Sequence, residues 1–220
     1  MGMAARKAKT FPVMPRTPVL AALMQSCAFI LVANWACQGM RGMQSKELSF
    51  RLALEALLWI TLVRLGLHPL GALFLAHSFG FLFNGQLWVC VRYCPLYHGD
   101  RDRLDAFLRV TARRLRRTPW LQEAVCIGSR GRGTAAWGPR SDLDLRLVFP
   151  PGVRGWLRTN LLLLKLRTRA LLMAVPLDLY AYDGPEALAR FDQREPLLLV
   201  LDRAGRIRER FAARELREHR

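Results

Sequence analysis

Ile127-Gly128-Ser129-Arg130-Gly131-Arg132-Gly133, followed by Ser141-Asp142-Leu143-Asp144-Leu145-Arg146-Leu147, is the stretch on which the fold turns. An apolar run, Ala124 to Ile127, leads into a turn of small residues, and a loop then delivers two aspartates alternating with leucines into a second apolar run that ends at Phe149. Successive side chains on a strand point to opposite faces. Leu143, Leu145 and Leu147 are therefore expected in a core, with Asp142 and Asp144 side by side on the other face and Arg146 beside them. Two carboxylates held that close repel each other unless positive charge lies between them. Magnesium fits this need, because it takes hard oxygen ligands and prefers a few carboxylates plus substrate phosphates to an all-protein cage. The Gly-Ser turn leaves backbone N–H groups free to cradle a phosphate, and Arg130 and Arg132 follow it with guanidinium forks suited to phosphate oxygens. The pattern points to a site for a nucleoside triphosphate (NTP) and a metal ion.

Gly128-Ser129, twelve residues, and then Asp142-Leu143-Asp144-Leu145 resemble the signature of the DNA polymerase β-like nucleotidyltransferase superfamily, and of its minimal nucleotidyltransferase domains in particular. The resemblance extends over roughly residues 101–205, about half the chain, and does not reach the first hundred. It implies an α/β (α+β) domain with a small mixed β-sheet and flanking helices. It also implies transfer of a nucleoside monophosphate from an NTP to an acceptor hydroxyl, with release of pyrophosphate. On this resemblance Asp142, Asp144 and a third carboxylate from a later strand are the catalytic residues and hold Mg2+. Gly128, Ser129, Arg130, Arg132 and Ser141 bind the nucleotide, with ATP the favoured one. The third carboxylate matches Asp178, in Val175-Pro176-Leu177-Asp178-Leu179-Tyr180, where it would complete the second metal site and help deprotonate the acceptor. Asp183 competes for that role, but Asp183-Gly184-Pro185 has the composition of a turn. The loop between the glycine turn and Asp142 is slightly longer than in the smallest members of the superfamily, with Trp137 and Gly138 near its middle. The acceptor is therefore left open.

Charge adds a second line of argument. The formal net charge is +17, from 34 basic against 17 acidic residues, and all but four of the basic residues are arginine. Such a chain favours anionic partners: nucleotides, nucleic acid or an anionic membrane surface. It lacks the interleaved aromatic and basic surface of single-strand binders, so sequence-specific nucleic-acid binding is not expected. The five cysteines (Cys27, Cys37, Cys90, Cys94, Cys126) are odd in number and lie mostly among apolar residues, which suits buried thiols in a reducing compartment. Cys90 and Cys94 have helical spacing, but no second ligand pair follows them, so a zinc site is not expected.

The chain divides into a basic flexible tail (1–17), an apolar helical region (18–98), the nucleotidyltransferase domain (99–205) and a charged C-terminal tail (206–220) read as a solvated helix. Apolar blocks run from Val19 to Ala36, from Phe50 to Leu67 and from Leu70 to Val91, the last with no formal charge before Arg92. The basic start followed by an apolar block resembles a signal peptide, but no small-x-small cleavage site follows. Two architectures stay open for residues 18–98: a soluble helical bundle, or a membrane-associated region on the cytoplasmic side. In the second, blocks two and three form a hairpin that turns at His68-Pro69 and ends at Arg92, with block one lying along the interface. Farther on, Leu104, Phe107, Leu108, Thr111 and Leu115 share one stripe of a helix covered elsewhere by arginines. A crossover helix over 153–174 follows the strand that carries Asp144, and two further strands cover 175–182 and 197–201. The functional alternative is an antitoxin-like or other non-catalytic partner-binding protein that keeps the nucleotidyltransferase fold.

Overall fold

The computed structural model describes residues 9, 11, 16–95, 97–128, 138, 140–191, 196–212 and 216–218. Helix α6 (Arg101–Arg116) starts where the Asp100 carboxylate accepts a hydrogen bond from the Arg103 amide (3.0 Å), an N-cap that satisfies one of the free N–H groups of the first turn. Its leucines and Phe107 recur at helical spacing and are all buried, while Arg113, Arg114 and Arg116 gather in the last turn, where cations suit the helix dipole. Strand β1 (Glu123–Ile127) follows, and then β2 (Leu143–Val148). Pro150-Pro151-Gly152 stops β2, and the long helix α7 (Gly152–Leu172) crosses over to β3 (Leu177–Tyr182). Strand β4 (Leu197–Asp202) comes next.

These strands and a fifth, β5 (Leu216–Glu218), join in one mixed sheet with the order β3-β2-β1-β4-β5. The β2–β3 pair is parallel, as the intervening helix requires, and β1 runs antiparallel to both of its neighbours. One face carries Leu143, Leu145, Leu147, Leu177, Leu179 and Ala181 into a core closed by α6 and α7. The opposite face packs Val125, Ile127, Tyr180 and Tyr182 against a 3₁₀ turn (Pro185–Arg190) and the short helix α8 (Arg206–Arg210). The fold is thus α+β, with helices flanking a small mixed sheet.

The charged C-terminal segment departs from a solvated helix. Among the described residues of this segment only α8 is helical, and β5 (Leu216–Glu218) then pairs in parallel with β4. An edge position beside a buried strand accepts three charged and apolar residues in extended form, which a composition-based reading of so short a segment does not show.

The N-terminal half is helical: α1 (Pro18–Met24), α2 (Cys27–Cys37), α3 (Ser45–Arg64), α4 (Pro69–Phe83) and α5 (Gln86–Val91). Helices α3 and α4 form a hairpin whose turn contains Gly66 at φ +93 and His68, the N-cap of α4. The apolar run from Leu70 to Val91 is not one helix. The Asn84 amide folds back onto the Gly80 carbonyl (2.6 Å), and Gly85, at φ +74, turns the chain into α5. Positive φ is cheap only for glycine, which is why the run breaks there. The first apolar block breaks too, bending by 63° between α1 and α2.

Cys27 and Cys94 are joined as a disulfide, which ties the start of α2 to the turn after α5. Their Cα atoms lie 5.0 Å apart, within the normal range for such a bond. This corrects the reading of all five cysteines as buried thiols; Cys90 and Cys126 are buried outside any disulfide, and Cys37 is exposed.

The helical half also finishes the sheet. Strand β3 lies at an edge, where N–H and C=O groups lack a neighbouring strand. Glu47 of α3 accepts from the Ala181 amide (3.2 Å), Gln44 accepts from the Asp183 amide (2.8 Å), and Arg167 of α7 donates to the Leu179 carbonyl. Arg167 and Glu47 also form a buried ion pair at 2.5 Å.

Candidate active site

Asp142 is the last residue before β2, and Asp144 and Arg146 follow it on the same face by the two-residue alternation of a strand. The parallel register then sets Asp144 directly opposite Asp178 and Arg146 opposite Tyr180. On the other side Ile127, the last residue of β1, is paired with Asp144. Gly128 comes next at φ +75, so close that a Cβ there would meet the Asp144 carboxylate at 2.7 Å. Only glycine suits that backbone angle together with that approach.

The carboxylates differ in their partners. Arg92, from the turn just after α5, forms a buried ion pair with Asp142 and also donates to the Tyr93 hydroxyl (2.8 Å). Arg146 donates to the Asp178 carboxylate (2.7 Å) and lies 3.6 Å from Asp144. The Arg146 guanidinium is itself held over the Tyr180 ring (5.0 Å) and the Phe191 ring (5.5 Å). Burial, then the charges of Asp142 and Asp178, push the Asp144 carboxyl well above the ordinary carboxylate range. Burial acts the same way on Asp178, but the charge and hydrogen bond of Arg146, with Asp144 and Arg92 adding to them, together hold that carboxyl below its usual value. The two carboxyls, opposite each other in the register, are thus pushed in opposite directions.

The other residues singled out in the sequence are placed as follows. Ser141 is buried, and its hydroxyl accepts from the Gly138 amide (3.0 Å), closing the loop just before Asp142. Asp183 lies outside the cluster at the end of β3, paired with Lys46 (2.8 Å). Ser129, Arg130 and Arg132 lie outside the described residues.

The structure adds residues that sequence reasoning missed. Arg92 marked the end of an apolar run, yet it holds Asp142. Its signal was present in the sequence: it is the first formal charge after Arg64. Tyr180 and the Gly39–Gly42 turn form a rim, with the Tyr180 hydroxyl donating to the Gly39 carbonyl (3.3 Å) and Gly42 pressed against the ring.

Asp142, Asp144 and Asp178 share one face of the sheet, and the charges of the other two bear on the Asp144 carboxyl. Hard oxygen donors on one face are of the type a divalent cation takes. Among the described residues, however, no three His, Cys, Asp or Glu side chains converge as a ligand set; guanidinium groups face Asp142 and Asp178 instead. Arg146 Nε is buried with no hydrogen-bond partner among the described residues, which leaves a donor beside the carboxylates for an anionic ligand. A scan against protein-family models returns no match to this chain, and neither does a search of curated proteins.

Proposed function

We propose that this chain is an NTP-dependent nucleotidyltransferase that works with Mg2+ and transfers a nucleoside monophosphate to an acceptor hydroxyl. The observation that carries the reading is the register of β2 and β3, which sets Asp144 against Asp178 with Asp142 two residues before, all beside the glycine turn at Gly128. Three carboxylates on one sheet face cost stability unless they have a task that needs concentrated negative charge. Magnesium, when bound, neutralises charge on the triphosphate and stabilises the attacking and leaving oxygens of an in-line displacement.

The chain's own residues prepare this site. Arg146 keeps Asp178 ionised and fixes its orientation. Arg92 keeps Asp142 turned toward the site. The backbone of Gly128 leaves space above Asp144. Incubating the full chain with each labelled NTP in turn, Mg2+ and a cell extract tests the proposal. The expected result is one class of labelled product, lost about a thousandfold in Asp144→Asn, in line with removal of a charge-stabilising group from an enzyme site. No labelled product with any NTP would overturn it.

One observation favours a second reading, a partner-binding protein that keeps this fold without catalysis. Arg92 and Arg146 already neutralise two of the carboxylates, so the set is balanced without a cation. On that reading Mg2+ and NTP leave the thermal melting point unchanged, whereas an enzyme site is stabilised by its ligands.

A further inference from the structure

Helices α3 and α4 leave large apolar side chains in the open. Leu57 is 62 % exposed, Leu65 and Leu70 are 72 % exposed each, and Leu52, Ile60 and Phe74 are more than half exposed. Large apolar side chains exposed in this number on one hairpin mark an interaction site. Its chemistry narrows the occupant. Between Ala56 and Val91 the only formal charge is Arg64. Arg64 apart, the polar side chains from Glu55 to Ser78 are satisfied within the hairpin or by α2. The Trp59 ring N–H donates to the Pro69 carbonyl (3.0 Å), Thr61 to Leu57 (2.8 Å) and Ser78 to Phe74 (2.7 Å). Glu55 is paired with His77 (2.8 Å). A surface without loose polar ends is what hydrocarbon requires.

We propose that the α3–α4 hairpin lies in the interface of an anionic lipid bilayer, its apolar face sunk into one leaflet. No single helix among the described residues is both long enough and apolar enough to cross a membrane. Helix α4, with 15 residues, is about 22 Å long, short of the hydrocarbon thickness of about 30 Å. The helices lie along the surface instead, with Arg64 reaching the headgroups on its flexible stem. An open cavity of about 490 Å³ between α3, α4 and α7, lined by Leu54, Leu58, Phe79, Phe83 and Leu164, gives an acyl chain room to enter. Net charge decides between a lipid surface and a second copy of the chain. Two copies face to face would each bring +17, whereas anionic headgroups attract that charge.

The test is co-sedimentation of the full chain with phosphatidylcholine vesicles containing phosphatidylglycerol. The readout needs no turnover, so it stands apart from the catalytic proposal. Binding is expected to survive about 1 M salt, which screens exposed charges. Leu57→Glu combined with Leu70→Glu is expected to weaken binding by about tenfold or more, the effect of keeping two leucines out of the apolar phase. Val153→Glu, at a site on α7 that is 78 % exposed, is expected to bind like the wild type. If circular dichroism shows the double variant unfolded, Leu57→Ser with Leu70→Ser replaces it. Four results would overturn the proposal: absence of binding, full release by salt, equal binding of wild type and hairpin variants, or an equal loss in Val153→Glu. A dimer that the hairpin variants dissociate, without vesicle binding, would assign the face to a second copy instead.

Discussion

Helices α6 and α7 and helices α3 and α4 are both rich in leucine, but the two pairs use it in opposite ways. In the first pair the leucines sit mostly on one stripe, arginines cover much of the rest, and the stripe closes a core over the sheet. In the second pair apolar residues run round the helices, and only Ala72, Ala76 and Phe81 of α4 are fully buried apolar side chains. The difference teaches what periodicity measures. A helix with one apolar face is built to lie between protein and water; a helix apolar on all sides is built for surroundings that are themselves apolar. Polar content matters less than where it falls. Both regions bury charges, Arg146 and Arg167 against carboxylates in the sheet half and Glu47 and Arg51 in α3, whereas Arg64 at the end of α3 stands exposed.

Substitutions break or sharpen this comparison. Phe107→Ala in the core beneath the sheet is expected to cost about 3 to 5 kcal/mol, measured by urea unfolding, because the cavity is lined by packed side chains that cannot follow. Next in size is Glu47→Ala, expected to cost about 3 kcal/mol because Arg167 is left buried with no carboxylate and the Ala181 amide loses its acceptor. A cost near zero there would mean that the helical half does not hold the sheet edge. A smaller effect concerns pH in protein free of nucleotide and divalent cation. The Asp144 carboxyl is raised in the folded state above its ordinary value of 3.8, so the stability it contributes is full below that value and is lost as pH rises through the folded one. Asp144→Asn cannot ionise, so it should lose less stability than the wild type as pH rises above about 4; urea midpoints that stay parallel as pH rises would refute it. Leu57→Ser on the hairpin is expected to change the stability of the vesicle-free protein by no more than about 0.5 kcal/mol, since its side chain is already exposed to solvent. A core-sized loss would dissolve the contrast between the two helix pairs.

How much of this was legible in the sequence follows from the range of the signal. The alternation of Asp142, Leu143, Asp144, Leu145 and Arg146 is local, and it correctly separates the core face from the polar face. The same pattern in Leu177 to Tyr182 separates the faces of β3. The hairpin turn at His68-Pro69 was legible because proline and glycine act over a few residues. The break at Asn84-Gly85 was hidden, since hydropathy stays high across it and only the backbone angle of Gly85 reveals the turn. Arg92 on Asp142 and Cys27 on Cys94 are contacts between residues far apart in the chain; the sequence marks Arg92 as the first charge after a long apolar run but carries no trace of either partner. Strand β5 was hidden for another reason: three residues are too few for a period, and the sheet edge supplies their conformation.

The clasp of Glu47, Gln44 and Arg167 on β3 has a consequence for how the chain behaves in a crowd. A strand with free amides and carbonyls along one side is a template on which other extended chains can stack, and the two ends of this sheet meet that hazard differently. The far end is a strand of only three residues, too short to template much. The near end carries six residues of β3, and helix side chains occupy its outer amides and carbonyls at Leu179, Ala181 and Asp183. A chain beginning at Arg101 would lose Glu47 and Gln44 at once and present that strand bare. It would then be prone to polymerise edge to edge, so the helical half protects solubility as well as shaping the site.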